Sequence, residues 1–184
     1  MPSLPISAFP VESEVLEILP AESALQYQQV RELLAELIAW DTFQVSQLGL
    51  DGQEALDFYY ASGDEVLPGV YAPPEGRMLL ATHSAKAAGC GAFHRMTPEA
   101  CEIKRMYVRP EFRRMRIGRQ LTESLIVAAK EAGYAVMRLE TVTFMDRAIA
   151  MYSSFGFRAC PPYYAIPETF RAITVFMQLD LANK

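Results

Sequence analysis

Histidine, tryptophan and cysteine are scarce in this chain: two, one and three residues among 184. Cys90, Cys101 and Cys160 are odd in number and widely separated, with no Cys-x-x-Cys pair. That spacing argues against a disulfide framework or a cysteine zinc site and suits a reducing compartment. His83 and His94 are too few for a histidine metal site, so no metal is expected, and both read as ordinary strand positions. No stretch approaches the roughly 18 apolar residues of a membrane span. The opening MPSLPISAFPVES has neither a basic start nor an uninterrupted apolar core, so the expectation is a cytoplasmic protein without a membrane partner. Internal repeats and low-complexity tracts are also missing.

What is present is a globular composition, 51% hydrophobic and 21% charged. A chain of this length buries one good core, so residues 11–184 are expected to form a single domain behind a loose arm, 1–10, that carries Pro2, Pro5 and Pro10. The net charge of −5 is segregated by sign. Lys104 to Arg119 holds seven basic residues and one acid, Glu111, whereas Asp41 to Glu75 holds seven acids and no lysine or arginine. The basic segment expects an anion and the acidic one tolerates a cation. An acidic chain without an extended basic stripe argues against nucleic acid.

Along the chain, Glu14 to Leu19 alternates as a strand. Ser23 and Gln26 have capping-box spacing ahead of a helix whose stripe is Leu25, Val30, Leu33, Leu34, Leu37 and Ile38, expected to run to about Trp40. Asp51 and Glu54 offer a second cap before Ala55 to Tyr60, and Ser62 to Gly76 is a turn-rich loop. Arg77 to Ala85 and Lys86 to Met96 read as strands joined by a tight link. Gly89 and Gly91 in the second mark a bulge or the close approach of another group. Glu102 to Val108 is a strand whose alternation slips at Arg105 and Met106, the mark of a bulge that leaves backbone groups open to a ligand. Pro110 ends it. Arg113, Arg114, Arg116 and Arg119 then surround Gly118, and a helix with Leu121, Leu125, Ala128, Ala129 and Ala132 on one stripe runs to Gly133. A basic turn feeding a helix N-terminus is an anion cradle, with phosphate the obvious guest. Val136 to Val142 is a strand, Phe144 to Phe155 a short helix, Phe157 to Cys160 a strand, Pro161 to Tyr164 an aromatic corner and Thr174 to Leu181 the last strand.

Two stretches carry a resemblance. Glu102-Ile-Lys-Arg-Met-Tyr-Val-Arg-Pro-Glu-Phe-Arg113, followed by Arg-Met-Arg-Ile-Gly-Arg119 and a helix, resembles motif A of the GNAT N-acetyltransferases, Arg/Gln-x-x-Gly-x-Gly/Ala. Ala148-Ile-Ala-Met-Tyr-Ser-Ser-Phe-Gly-Phe157 resembles that superfamily's Ala-x-x-x-Tyr-x-x-x-Gly-Phe signature. Together they cover residues 77 to 181 and are most like a bacterial small-molecule-type member. The resemblance implies an α+β fold of α/β-type layering, a mixed, mostly antiparallel sheet splayed in the middle, with helices on both faces. Two positions depart from the pattern. Arg116 stands at its middle glycine, where it fits if its backbone stays in a helical region, and Met145 stands where many members have a cofactor-contacting asparagine.

What the resemblance further implies is an N-acetyltransferase using acetyl-CoA as co-substrate and a primary amine of a small molecule or amino acid as acceptor, with a homodimer through the terminal strands as a family expectation. Met106, Tyr107 and Val108 would hold the pantetheine, and Arg113, Arg114, Met115, Arg116, Ile117, Gly118 and Arg119 the diphosphate, with Met145 and Tyr152 completing the cofactor site. Glu102 is the candidate base and Tyr152 the candidate acid for the thiolate. An amine of pKa about 10 needs the first and a departing sulfur the second. Phe43, Tyr59, Tyr60, Tyr163 and Tyr164 are candidates for an aromatic acceptor pocket. The alternatives are a CoA-binding module with little catalysis, suggested by Arg116 and Met145, and a protein-lysine or N-terminal acetyltransferase docking basic partners on the acidic segment.

Overall fold

The computed structural model describes residues 15–60 and 66–182, and the expected arm lies outside them. Seven strands form one sheet: β1 Leu16–Pro20, β2 Arg77–His83, β3 Lys86–Arg95, β4 Ala100–Val108, β5 Val136–Val142, β6 Arg158–Ala159 and β7 Thr174–Asp180, in the order β1-β2-β3-β4-β5-β7-β6. Only β4 and β5 run parallel; every other pairing is antiparallel. The helices are α1 Ala24–Gln47, α2 Gly52–Tyr59, α3 Ile117–Glu131, α4 Asp146–Ser154 and α5 Glu168–Arg171.

Period-2 alternation sorts β2 onto two cores. Met78 and Leu80 pack with Val30, Leu33, Leu34 and Leu37 of α1, while Leu79 and Ala81 pack with Ile117, Leu121, Leu125 and Ala129 of α3. Helices therefore cover both faces, as expected for a layered α+β protein. At the start of α1, Ser23 Oγ accepts from the Gln26 N–H and the Gln26 side chain accepts from the Ser23 N–H, completing the capping box. At the end of α3, Gly133 adopts φ +86°, its N–H bonds Lys130 O and the Tyr134 N–H bonds Ala129 O. This is a Schellman stop that a side chain at position 133 would strain.

The structure differs from the sequence reading in three places. The first helix continues past Trp40 to Gln47, and Leu25, assigned to its buried stripe, is 66% exposed. Its added turns include Asp41, Thr42, Gln44 and Ser46, which break the apolar period; the Thr42 hydroxyl bonds Ile38 O and the Ser46 hydroxyl bonds Thr42 O. The four-residue α5 has too few positions to show a period, and the sequence reading had no element there. The strand expected over Phe157 to Cys160 shrinks to Arg158–Ala159.

Candidate active site

The site begins where two strands part. β4 and β5 pair only from Ala100–Val136 to Ile103–Leu139, although β4 runs on to Val108 and β5 to Val142. Beyond Ile103 the β5-facing edge of β4 has no strand partner. On its other edge the register with β3 shifts between Cys90 and Ala92, where Arg105 takes φ +61°. This is the bulge signalled by the slip at Arg105 and Met106. Gly91 faces it, where a Cβ would sit 2.4 Å from Met106 Sδ and displace that side chain, and at Gly89 a Cβ would sit 2.5 Å from the Tyr107 backbone oxygen, a closer constraint on the strand.

The gap between the strands is a cavity of about 130 Å³. Ile103 to Met106 and Leu139 to Val142 line its sides. From one face come Asp41, Tyr59 and Tyr60 of the α1–α2 layer, and from the other Phe144, Met145, Ala148 and Tyr152. The cavity thus passes through the sheet.

At the far end of β4 the chain turns into α3. The N–H groups of Arg114, Arg116, Ile117, Gly118 and Arg119 have no acceptor among the described residues, and Arg116 makes no side-chain cap. They stand at the positive end of the α3 dipole. Arg116 has φ 61° and ψ 15°, and Arg114 φ 73°. Arg116 therefore does not stay in the right-handed helical region on which its fit was expected to depend, and takes the left-handed conformation that glycine would adopt. The turn keeps a glycine-type conformation at a cost of roughly 1–2 kcal/mol for a residue with a Cβ. Gly118 leaves room, its nearest side-chain neighbours lying 3.8 Å from an added Cβ. Arg119 donates to Ser154 Oγ at 2.9 Å and covers the Phe155 ring, while Arg113 reaches back to Val108 O and toward the Trp40 ring. Met115 is partly exposed and Ile117 is buried under the turn.

Tyr152 projects from α4 against Phe157 and is 6% exposed. Its hydroxyl has no hydrogen-bond partner among the described residues, and burial pushes its pKa well above the usual phenol value. It therefore keeps its proton at neutral pH. Met145 sits at the N-terminus of the same helix and lines the cavity with it.

The polar wall is more elaborate than the sequence suggested. Glu102 is 3% exposed and does not line the cavity. Its carboxylate accepts from the Tyr163 hydroxyl at 2.7 Å, meets His94 Nε2 at 3.2 Å and pairs with Lys104 Nζ at 3.3 Å. Burial raises its pKa, but His94, Lys104 and Tyr163 together outweigh that and hold it below the usual carboxylate value. Lys104 bridges onward to Glu140 Oε1 at 3.0 Å. Glu140 and Lys104 both line the cavity, and Glu140 Oε2 is buried without a hydrogen-bond partner. Burial pushes the Glu140 pKa up against the pull of Lys104. Across the cavity, Asp41 accepts from the Tyr60 hydroxyl, and burial raises its pKa to about 6 despite that bond and the Arg105 cation. Arg105 lies 4.5 Å from the Tyr60 ring centroid and donates to Tyr59 O.

A parallel strand pair forced apart by a bulge, beside a helix N-terminus with open N–H groups, matches the motifs in the sequence. A model of the Acetyltransferase (GNAT) family matches residues 33–157. The chain belongs to the GNAT acetyltransferase family. It is 39% identical over 117 residues to an uncharacterised N-acetyltransferase of Schizosaccharomyces pombe, covering 61% of this chain and 69% of the relative. With the IAA acetyltransferase of Azospirillum brasilense it shares 36% identity over 109 residues, 58% of this chain and 71% of that protein. Among solved structures, an acetyltransferase from Streptococcus agalactiae superposes with a TM-score of 0.66 at 19% identity, over 90% of this chain and 98% of the other. A GNAT family acetyltransferase from Elizabethkingia anophelis with acetyl-CoA bound gives 0.55 at 22% identity, over 90% and 97%.

In this GNAT acetyltransferase the structure brings Met106, Met145 and Tyr152 to one cavity, with Arg113 to Arg119 grouped at the turn beyond β4 and Glu102 one lysine away. Tyr59 and Tyr60 line the cavity. Tyr163 and Tyr164 instead pack edge-on against Phe176 beside Glu102 and Lys104, and Phe43 is 57% exposed. The four charged residues of the cavity, Asp41, Lys104, Arg105 and Glu140, were not among the candidate site residues. Arg105 was marked by the slip in alternation, and the acidity after Asp41 and basicity after Lys104 pointed toward the others only in sum. Among the described residues, no group of three or more His, Cys, Asp or Glu is placed to hold a metal ion, and no helix is long and apolar enough to cross a membrane.

Proposed function

We propose that the chain transfers the acetyl group of acetyl-CoA to a primary amine of a small molecule or amino acid by direct attack. The observation that carries this reading is the fork between β4 and β5, with an unpartnered phenol on one wall and buried carboxylates on the other. The pantetheine adds to the open edge of β4 as an extra strand would, hydrogen-bonding Met106 to Val108. Its diphosphate lies on the free N–H groups from Arg116 to Arg119, with Arg113 and Arg114 supplying charge. Met145 packs beside the thioester arm.

The amine attacks the thioester carbonyl from the α1–α2 side, forming the C–N bond; collapse breaks C–S and the thiolate takes the Tyr152 proton. Burial raises the pKa of a thiolate and a phenol alike, so the transfer does not depend on an unusually acidic tyrosine. The ammonium proton leaves on the carboxylate side, where Glu102 is linked to the cavity through Lys104 and acts as base at one remove. The test is thiol release from acetyl-CoA across a panel of small amines and amino acids. Turnover on at least one acceptor is expected. Acetyl-CoA binding without turnover on any would favour a CoA-binding module, and no binding would overturn the reading.

A further inference from the structure

Glu140 is the one cavity carboxylate in the described structure with a fully buried oxygen that has no hydrogen-bond partner. Oε1 is held by Lys104 at 3.0 Å, and Oε2 is buried with no hydrogen-bond partner among the described residues. A buried carboxylate oxygen without a donor is costly, and a donor brought in from outside, or a proton taken up by the carboxylate itself, removes that cost. Glu140 sits one residue past Leu139, the last β5 residue paired with β4, so it stands at the mouth of the fork, where a nucleophile must approach a thioester lying along β4. Asp41 lines the same cavity from α1. The cations of that wall have partners: Lys104 pairs with Glu102 and Glu140, and Arg105 stacks on Tyr60 and bonds Tyr59 O. The open bonding capacity therefore calls for a cation with N–H donors. The surrounding wall is apolar, from Leu37, Val45, Ala55, Leu56 and Phe144.

We propose that Glu140, with Asp41, is the recognition site for the acceptor's ammonium group, that Glu140 is the group to which the ammonium first gives its proton, and that the acceptor is a compact alkylamine or arylalkylamine without a carboxylate beside the nitrogen. This deepens the acetyl-transfer reading and rests on it. In the step, an N–H bond of R–NH3⁺ breaks and its proton joins Glu140 Oε2, leaving R–NH2 and a neutral carboxylic acid. The freed lone pair attacks the thioester carbonyl. The second proton, shed by the nitrogen as the amide forms, passes through Lys104 to Glu102, which remains the base at one remove and keeps Lys104 against Glu140.

Calorimetric titration of the CoA-loaded protein with 2-phenylethylamine, 3-phenylpropanoate and phenylalanine tests this without requiring turnover. The amine is expected to bind saturably, more tightly than phenylalanine, and the carboxylate not at all. Glu140→Gln should weaken amine binding at least about tenfold while CoA affinity, the folding control, is kept; Asp41→Asn should weaken it less. Unchanged amine affinity in Glu140→Gln overturns the assignment. So does phenylalanine or 3-phenylpropanoate binding more tightly than the amine, or no amine binding to the wild type. Tight amine binding with no thiol release from acetyl-CoA would sink the acetyl-transfer reading instead and leave the ammonium site standing.

Discussion

Replacing Tyr152 with phenylalanine removes one oxygen and leaves the ring against Phe157, so its two effects separate cleanly. The hydroxyl bonds no described residue and the side chain is 6% exposed. A buried polar group without a partner costs about 1–3 kcal/mol, less here because the hydroxyl faces a cavity. Tyr152→Phe should therefore be neutral or stabilising by up to about 1 kcal/mol, a Tm unchanged or raised by about 2–4 °C for a chain of this size. Loss of general-acid assistance costs about 100-fold to 10,000-fold, or about 2.7–5.4 kcal/mol in barrier height. The expected pattern is a kcat at least about 100-fold lower by thiol release, unchanged acetyl-CoA affinity by calorimetry and no loss of Tm. A purely core role would give a full rate with the same unchanged or raised Tm. An unaltered kcat would refute the acid role.

Arg116→Gly should raise Tm by about 2 °C or more by relieving the left-handed strain, since the strain of roughly 1–2 kcal/mol exceeds much of the flexibility glycine adds to the unfolded chain. A lower Tm in thermal denaturation would mean that the guanidinium contributes more than the strain costs. Asp41 supplies a pH test with a definite sign. Its folded pKa of about 6 lies above its ordinary value of 3.8, so the folded state binds the extra proton and stability rises as pH falls from about 6 toward 4. Asp41→Asn should flatten that part of the Tm-against-pH profile and stabilise the protein at pH 7; an unaltered slope would contradict the burial argument. Glu102 works in the opposite sense, because its folded pKa is lowered. Its contribution is present above its unfolded pKa and is lost as pH falls through the folded one, so Glu102→Gln should reduce the steepness of acid unfolding below about pH 4.5.

The features legible in the sequence were those written in local chemistry. Ser23 with Gln26, Gly133 after an amphipathic helix and the slip at Arg105 and Met106 each name a backbone event within a few residues. The motif positions Gly118 and Tyr152 did the same for the site. Illegible were features defined by long-range neighbours. Glu140 occupies an alternate position in a strand with Arg138 and looks solvent-facing until β4 and α2 are placed beside it. His94 looked ordinary because its partner Glu102 is reached only across a strand pairing. The last turns of α1 lack an apolar period because Asp41 and Thr42 turn into the cavity while Ser46 and Gln47 are exposed, and periodicity alone ends the helix where the apolar stripe ends.

The central claim is that the fork between β4 and β5 and the arginine-rich turn together hold one thioester cofactor. A crystal structure of the protein with acetyl-CoA tests it most directly. The account predicts pantetheine hydrogen-bonded along Met106 to Val108, the diphosphate against the N–H groups from Arg116 to Arg119, and the sulfur within reach of the Tyr152 hydroxyl. A cofactor bound elsewhere, or a turn left empty at saturating acetyl-CoA, would contradict it.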